Sequence, residues 1–168
     1  MYSELMLKRY SSRQYSDKKV EDEKLQKILE AAVAAPTACN NQPFKLLVIK
    51  SNEGLNKLKK ASNTYDAPLA IIVCADHDSC WKRAFDNKKS AEIDASIVTD
   101  HMMMQATELG LGTVWICSFN PDILFEEFNI PKNLEPVNIL IIGYASGEPN
   151  PRHFQRKTVE EILINETF

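Results

Sequence analysis

This chain has little with which to hold a metal. Its four cysteines, Cys39, Cys74, Cys80 and Cys117, form no Cys-x-x-Cys pair, and its three histidines, His77, His101 and His153, are scattered. No ligand set with metal-site spacing is legible, so a metal site is not expected. The apolar runs are too short to span a bilayer. Residues 1–8 lack the apolar stretch of a signal peptide. Neither sign of charge dominates: twenty Lys and Arg against twenty-three Asp and Glu leave a net charge of −3. That balance gives no electrostatic footprint for nucleic acid or an anionic membrane. Glycine is scarce, at five residues, and no Gly-x-Gly-x-x-Gly follows a strand. No Ser-His-Asp set and no paired carboxylates stand out. Free thiols without an export signal lead us to expect a reducing, cytoplasmic setting.

What is present describes a folded domain. The 168 residues, 44% hydrophobic and 26% charged, suit one domain over residues 1–168. Residues 20–35 place Leu25, Ile28, Leu29, Ala32 and Val33 at helical spacing, with Asp17 as a cap or turn residue and Pro36 as the stop. Strands are expected at 44–50, 68–75, 113–118 and 137–145. The second, PLAIIVCA, reads as a central strand buried on both faces, because it is apolar throughout. Helices are expected at 53–62, 90–109 and 121–129, with Gly110 ending the long one. Residues 76–89 read as irregular, anchored by Trp81 and Phe85. The helix over 90–109 puts Asp94, His101, Gln105 and Glu108 on one face and apolar residues over most of the rest. A helix this apolar needs partners on more than one side, either within the chain or from a second subunit. Helices lie between several strands, which predicts a layered α/β sheet.

Two segments carry chemistry. Arg9-Tyr10-Ser11-Ser12-Arg13 offers two permanent cations and two hydroxyls, the donors a phosphate monoester needs. Taken alone, it also reads as a solvated basic turn. Pro36-Thr37-Ala38-Cys39-Asn40-Asn41-Gln42-Pro43-Phe44 is a turn-rich loop of amide, hydroxyl and backbone groups. It could read the polar edge of a flat heterocycle, or be a plain Asx-type connection. Together they suggest a phosphorylated cofactor that bears a ring.

The order Arg-x-Ser-x-Arg, amphipathic helix, Ala-Pro-Thr-Ala-x-Asn-x-Gln-Pro-aromatic and strand resembles the FMN-dependent nitroreductase family. The run Glu108-Leu109-Gly110-Leu111-Gly112-Thr113-Val114-Trp115-Ile116 is similar to that family's third signature. Arg156-Lys157-Thr158-Val159-Glu160-Glu161-Ile162 resembles its closing segment. The resemblance implies an α+β fold with α/β/α layers, a mixed, mainly antiparallel central sheet flanked by helices, and an intertwined homodimer with FMN at the subunit interface.

It also implies a site. Arg9 and Ser11 hold the FMN phosphate and ribityl side, and Tyr10 lines the site through its backbone. Arg13 sits near the pyrimidine edge, where reduction leaves negative charge that a fixed cation stabilises. Pro36, Thr37, Ala38, Asn40 and Gln42 face the ring, in part from the partner subunit. The end of the third strand, Trp115, Ile116 and Cys117, lies against the flavin and brings a backbone N–H near N5. Arg156 closes on the phosphate, a role Arg152 could share. The implied function is an FMN-dependent NAD(P)H oxidoreductase. It passes hydride from NADH or NADPH through flavin N5 to a small acceptor, such as a nitroaromatic or quinone, in a ping-pong cycle. No protein side chain is the chemical catalyst in that reading. Two alternatives stay open: a non-catalytic flavin carrier, and a related flavin chemistry such as reductive dehalogenation. The second is disfavoured because the chain has little room for a substrate lid beyond residues 76–89.

Overall fold

The computed structural model describes residues 2–168, with side chains from Ser3 onward. Four strands, β1 (Phe44–Ile49), β2 (Leu69–Asp76), β3 (Gly112–Ile116) and β4 (Leu134–Gly143), form one sheet in the order β1-β2-β4-β3. All three pairings are antiparallel, with Leu47 opposite Ile72, Ile71 opposite Leu140 and Val114 opposite Ile141. A parallel bridge from Ser11 to Thr113 brings the N-terminal segment alongside β3. The expected mainly antiparallel sheet is therefore found, with its parallel component reduced to that bridge. The β2–β4 register shifts between Val73 and Cys74, where Pro136 faces Cys74. Pro136 has no N–H to give the ladder, which makes this irregularity its natural place.

Strand alternation divides the core into two. Leu69, Ile71, Val73 and Ala75 of β2, with Leu140 and Ile142 of β4, pack on one side. They meet Leu25, Ile28 and Ala32 of helix α2 (Asp22–Ala34) and Ala95, Val98, Met102 and Ala106 of helix α4 (Ala91–Glu108). Ala70, Ile72, Cys74, Ile139 and Ile141 point the other way, toward Leu58 of α3 (Asn52–Ala61) and Leu124 of α5 (Pro121–Phe128). Burying each large aliphatic side chain contributes about 1.5–3 kcal/mol. A short helix α1 (Tyr2–Lys8) precedes the sheet, and a four-residue helix α6 (Val159–Ile162) with a Thr158–Glu161 capping box lies in the tail. Helix α1 was not legible in the sequence.

Several local expectations are corrected. Helix α2 starts at Asp22, not 20, and its N-cap is Glu21 rather than Asp17. Trp81 (39% exposed) and Phe85 (97%) do not anchor residues 76–89. Polar ties hold that segment: Arg83 pairs with Asp86, and Lys82 bridges Lys89. Cys117 falls past the end of β3 and is exposed, whereas Cys74 is buried as expected. On α4, Asp94 is buried rather than part of a polar face. The chain itself covers much of α4, using α1, α2 and the sheet, although Ile93 remains 54% exposed. Among the described residues no helix is long and apolar enough to cross a membrane.

Candidate functional site

The segment carrying Arg9 leaves α1 and is laid against the sheet by backbone bonds. Arg9 N–H still closes the helix on Leu5 O (3.0 Å). Ser12 N–H then donates to Thr113 O (2.8 Å), Ser16 N–H to Tyr144 O (2.9 Å), and Ser146 N–H to Gln14 O (3.1 Å). Gly112 makes this close approach possible: a Cβ there would stand 2.7 Å from Ala145 Cβ and 3.0 Å from Ser12 Cβ. Tyr10 Oη donates to Gly147 O (2.9 Å), which ties the segment to the C-terminal tail. Asn150 caps the turn at Pro151–Phe154, its side chain accepting from Arg152 N (3.0 Å).

These ties border an open cavity of about 440 Å³ lined by Arg9, Tyr10, Ser11, Arg13, Asn150, Arg152, His153 and Arg156. No carboxylate is among those residues. The Arg156 guanidinium can only donate, so its 3.2 Å contact makes His153 Nδ1 the acceptor. His153 also meets the Tyr10 ring edge-on. The Arg9 guanidinium is pulled below its ordinary value, first by burial and then by the charge of Arg156, with Asp100 opposing. Two cations held together at a partly buried position gain from an anion between them. Arg13 is less constrained. It donates to Ser11 O (3.3 Å) and stands 6.0 Å from the centre of the Tyr65 ring.

A larger hollow of about 660 Å³ shares Arg9, His153 and Arg156 with this cavity and adds Met6, Leu7, Asp100, Met104 and Phe154. Asp100 in turn belongs to a shallow hollow with Trp115, Ile93 and Ile97. Shared walls therefore lead from the arginines to Trp115. The Ile116 side chain lies in the core on the α3–α5 side, so what it can offer the hollow is its backbone.

The 36–42 loop is built separately. Ala35 takes an extended conformation (ψ 136°) ahead of Pro36. Cys39, Asn40 and Gln42 then have φ of 52°, 54° and 49°, a left-handed region that non-glycine residues enter at a cost. Thr37 Oγ1 accepts from Gln42 N (3.0 Å), and Gln42 Nε2 donates to Asn40 Oδ1 (3.3 Å). Asn41 Nδ2 donates to Ser79 O (3.1 Å), and Ala38 N to Asp94 Oδ1 (2.9 Å). None of Pro36, Thr37, Ala38, Asn40 and Gln42 lines the arginine cavity or the Trp115 hollow. Within one chain the structure thus joins Arg9, Tyr10, Ser11, Arg13 and Arg156, and does not join them to the loop. Sequence reasoning missed Asn150 and gave His153, one of three scattered histidines, no role in the site. Asn150-Pro151 is a helix-cap signal that could have found the turn, but nothing local marked His153.

The nitroreductase family model matches this chain over residues 6–64 and 55–144. The chain belongs to the nitroreductase family. Its fold superposes on a nitroreductase family protein from Clostridium difficile 630 with a TM-score of 0.94, at 58% identity over 98% of both chains. An FMN-dependent nitroreductase from Clostridium difficile R20291 gives 0.81 at 30% identity, again over 98% of both chains. The FMN reductase [NAD(P)H] of Bacillus subtilis strain 168 is 29% identical, over 92% of this chain and 68% of its own length. The nitroreductase fold expected from the motifs is therefore the one observed.

Proposed function

We propose that this protein is an FMN-dependent NAD(P)H oxidoreductase, working as a homodimer in the cytoplasm. The observation that carries the reading is the carboxylate-free cavity in which Arg9 and Arg156 face one another. The chemistry of this donor set suits a phosphate monoester dianion: forked guanidinium donors, the Ser11 hydroxyl and the Tyr10 backbone. FMN, when bound, supplies the N5 that accepts hydride from NADH or NADPH and the two-electron store from which an acceptor is reduced. Arg9, Ser11 and Arg156 hold the phosphate, and Arg152 widens the cationic rim. Arg13 keeps a permanent positive charge where negative charge develops at the ring's pyrimidine edge. The amides of Asn40 and Gln42 and the backbone of Thr37 and Ala38 read the polar ring edge. The backbone after Trp115 offers a donor near N5. The loop and the arginines do not share a cavity within one chain, and this supports a site completed by the loop of a second subunit. Donor and acceptor then use the same face in turn, a ping-pong cycle; nitroaromatics and quinones are suitable acceptors in vitro.

The test is a visible spectrum of the purified protein, repeated without oxygen after adding NADH and then NADPH. Flavin absorption that bleaches with either donor supports the reading. Bound flavin that stays oxidised with both points to a carrier, and a colourless protein that takes up no added FMN refutes the proposal.

A further inference from the structure

We infer that Asp94 is a positioning residue for the ring-binding loop, an inference that rests on the function proposed above. Asp94 lies in the first turn of α4 and is 2% exposed. Its Oδ1 accepts from Ala38 N (2.9 Å) and its Oδ2 from Ser90 Oγ (2.7 Å). Among the described residues no Lys, Arg or His pairs with it. A buried carboxylate without a cation is costly, and the free N–H groups of the α4 N-terminus offset part of that cost. The core gains nothing from a carboxylate that an apolar side chain would not supply better. What the carboxylate does is fix the first residue after Thr37 in a loop that is otherwise strained.

That loop needs fixing. Cys39, Asn40 and Gln42 all stand at positive φ, and strain of this kind persists only where the surroundings over-determine it. The Thr37–Gln42 and Asn40–Gln42 bonds are internal to the loop, so they shape it without placing it. Two side-chain bonds place it: Asn41 on Ser79 at its far side, and Asp94 on Ala38 at its start. The neighbours of Asp94 on α4, Ile93 and Ile97, line the hollow that holds Trp115. The same turn of helix therefore sets both the loop that reads the ring edge and one wall of the hollow reached from the phosphate cavity. Asp94 touches neither phosphate nor ring, and acts through Ala38.

The test uses the full-length protein and separates the ring end of the cofactor from its phosphate end. Dissociation constants for FMN and for riboflavin, which lacks the phosphate, are measured by flavin fluorescence for wild type, Asp94→Ala and Asp94→Asn. Asn keeps an oxygen for Ala38 N–H and an amide for Ser90, so it should stay within about threefold of wild type. Ala removes both contacts and should weaken FMN and riboflavin by the same factor, about tenfold. Ala38→Pro deletes the donor from the loop side without touching the core, and Thr37 already has the extended backbone that precedes proline (φ −133°, ψ 158°). It should reproduce Asp94→Ala even if that variant folds poorly. Unchanged flavin affinity in Ala38→Pro and in folded Asp94→Ala overturns the inference while leaving the function intact. An Asn variant as defective as Ala also overturns it. A wild-type protein that binds neither flavin sinks the function and this inference together.

Discussion

Replacing Arg9 by Met keeps the aliphatic stem and removes the guanidinium. In the free protein that charge is opposed by burial and by Arg156, with Asp100 as its partial offset. Its removal should therefore leave the melting temperature of the flavin-free protein level or higher. With a phosphate in the cavity the sign reverses, because a charged hydrogen bond is lost. Such a bond is worth about 1.5–3 kcal/mol, or roughly ten- to hundredfold in affinity. The phosphate is the moiety affected, so FMN should weaken by that factor and riboflavin should not. Added salt should also erode FMN affinity less steeply in the variant, since one cation fewer is screened. Titration of flavin fluorescence against both ligands at two ionic strengths, with a thermal melt of each protein, reads all three. Parallel loss of FMN and riboflavin, or a lower melting temperature with FMN affinity unchanged, would refute the assignment of the phosphate to this cavity.

Other consequences are structural. Gly112→Ala drives a methyl toward Ala145 and Ser12; overpacking of this kind costs about 1–3 kcal/mol. Because Ser12 carries the phosphate segment, a denaturant melt should show that loss together with weaker FMN binding. Thr99→Val strands the buried Asn138 amide, whose Nδ2 donates to Thr99 Oγ1 at 3.0 Å. Urea unfolding should show about 1–3 kcal/mol lost. The Tyr144 hydroxyl, then the Glu21 backbone N–H and Lys18, hold the Glu21 carboxyl down to about 2 from its ordinary 4.5. A carboxylate lowered on folding stabilises the protein above its unfolded value, and that contribution fades as pH falls from 4.5 toward 2. The gap in melting temperature between wild type and Glu21→Gln should close over that window; a gap independent of pH would exclude the Tyr144–Glu21 bond.

The periodicity of Leu25, Ile28 and Ala32 and the unbroken run of β2 were enough to place the main helix and the central strand. Both patterns are local consequences of which faces must leave water. The ordered motifs were enough to name the family, and with it the fold. Local pattern did not reach the cost of placement. Phe85 looks like an anchor in sequence and is 97% exposed, because among the described residues nothing packs over it. Asp94 reads as part of a polar stripe and is buried, because Ala38, more than fifty positions away, needs an acceptor there. No local pattern brings Arg156 to Arg9; only the family resemblance implied that both serve one phosphate. That meeting depends on the bridge from Ser11 to Thr113, the close approach at Gly112 and the Tyr10–Gly147 bond, each between residues distant in the chain. Sequence alone determined the elements and the kinds of donor available, since those follow from side-chain chemistry and spacing. Beyond the resemblance, only the tertiary structure decided how those donors converge and which loop is held in strain, because convergence is a property of long-range packing.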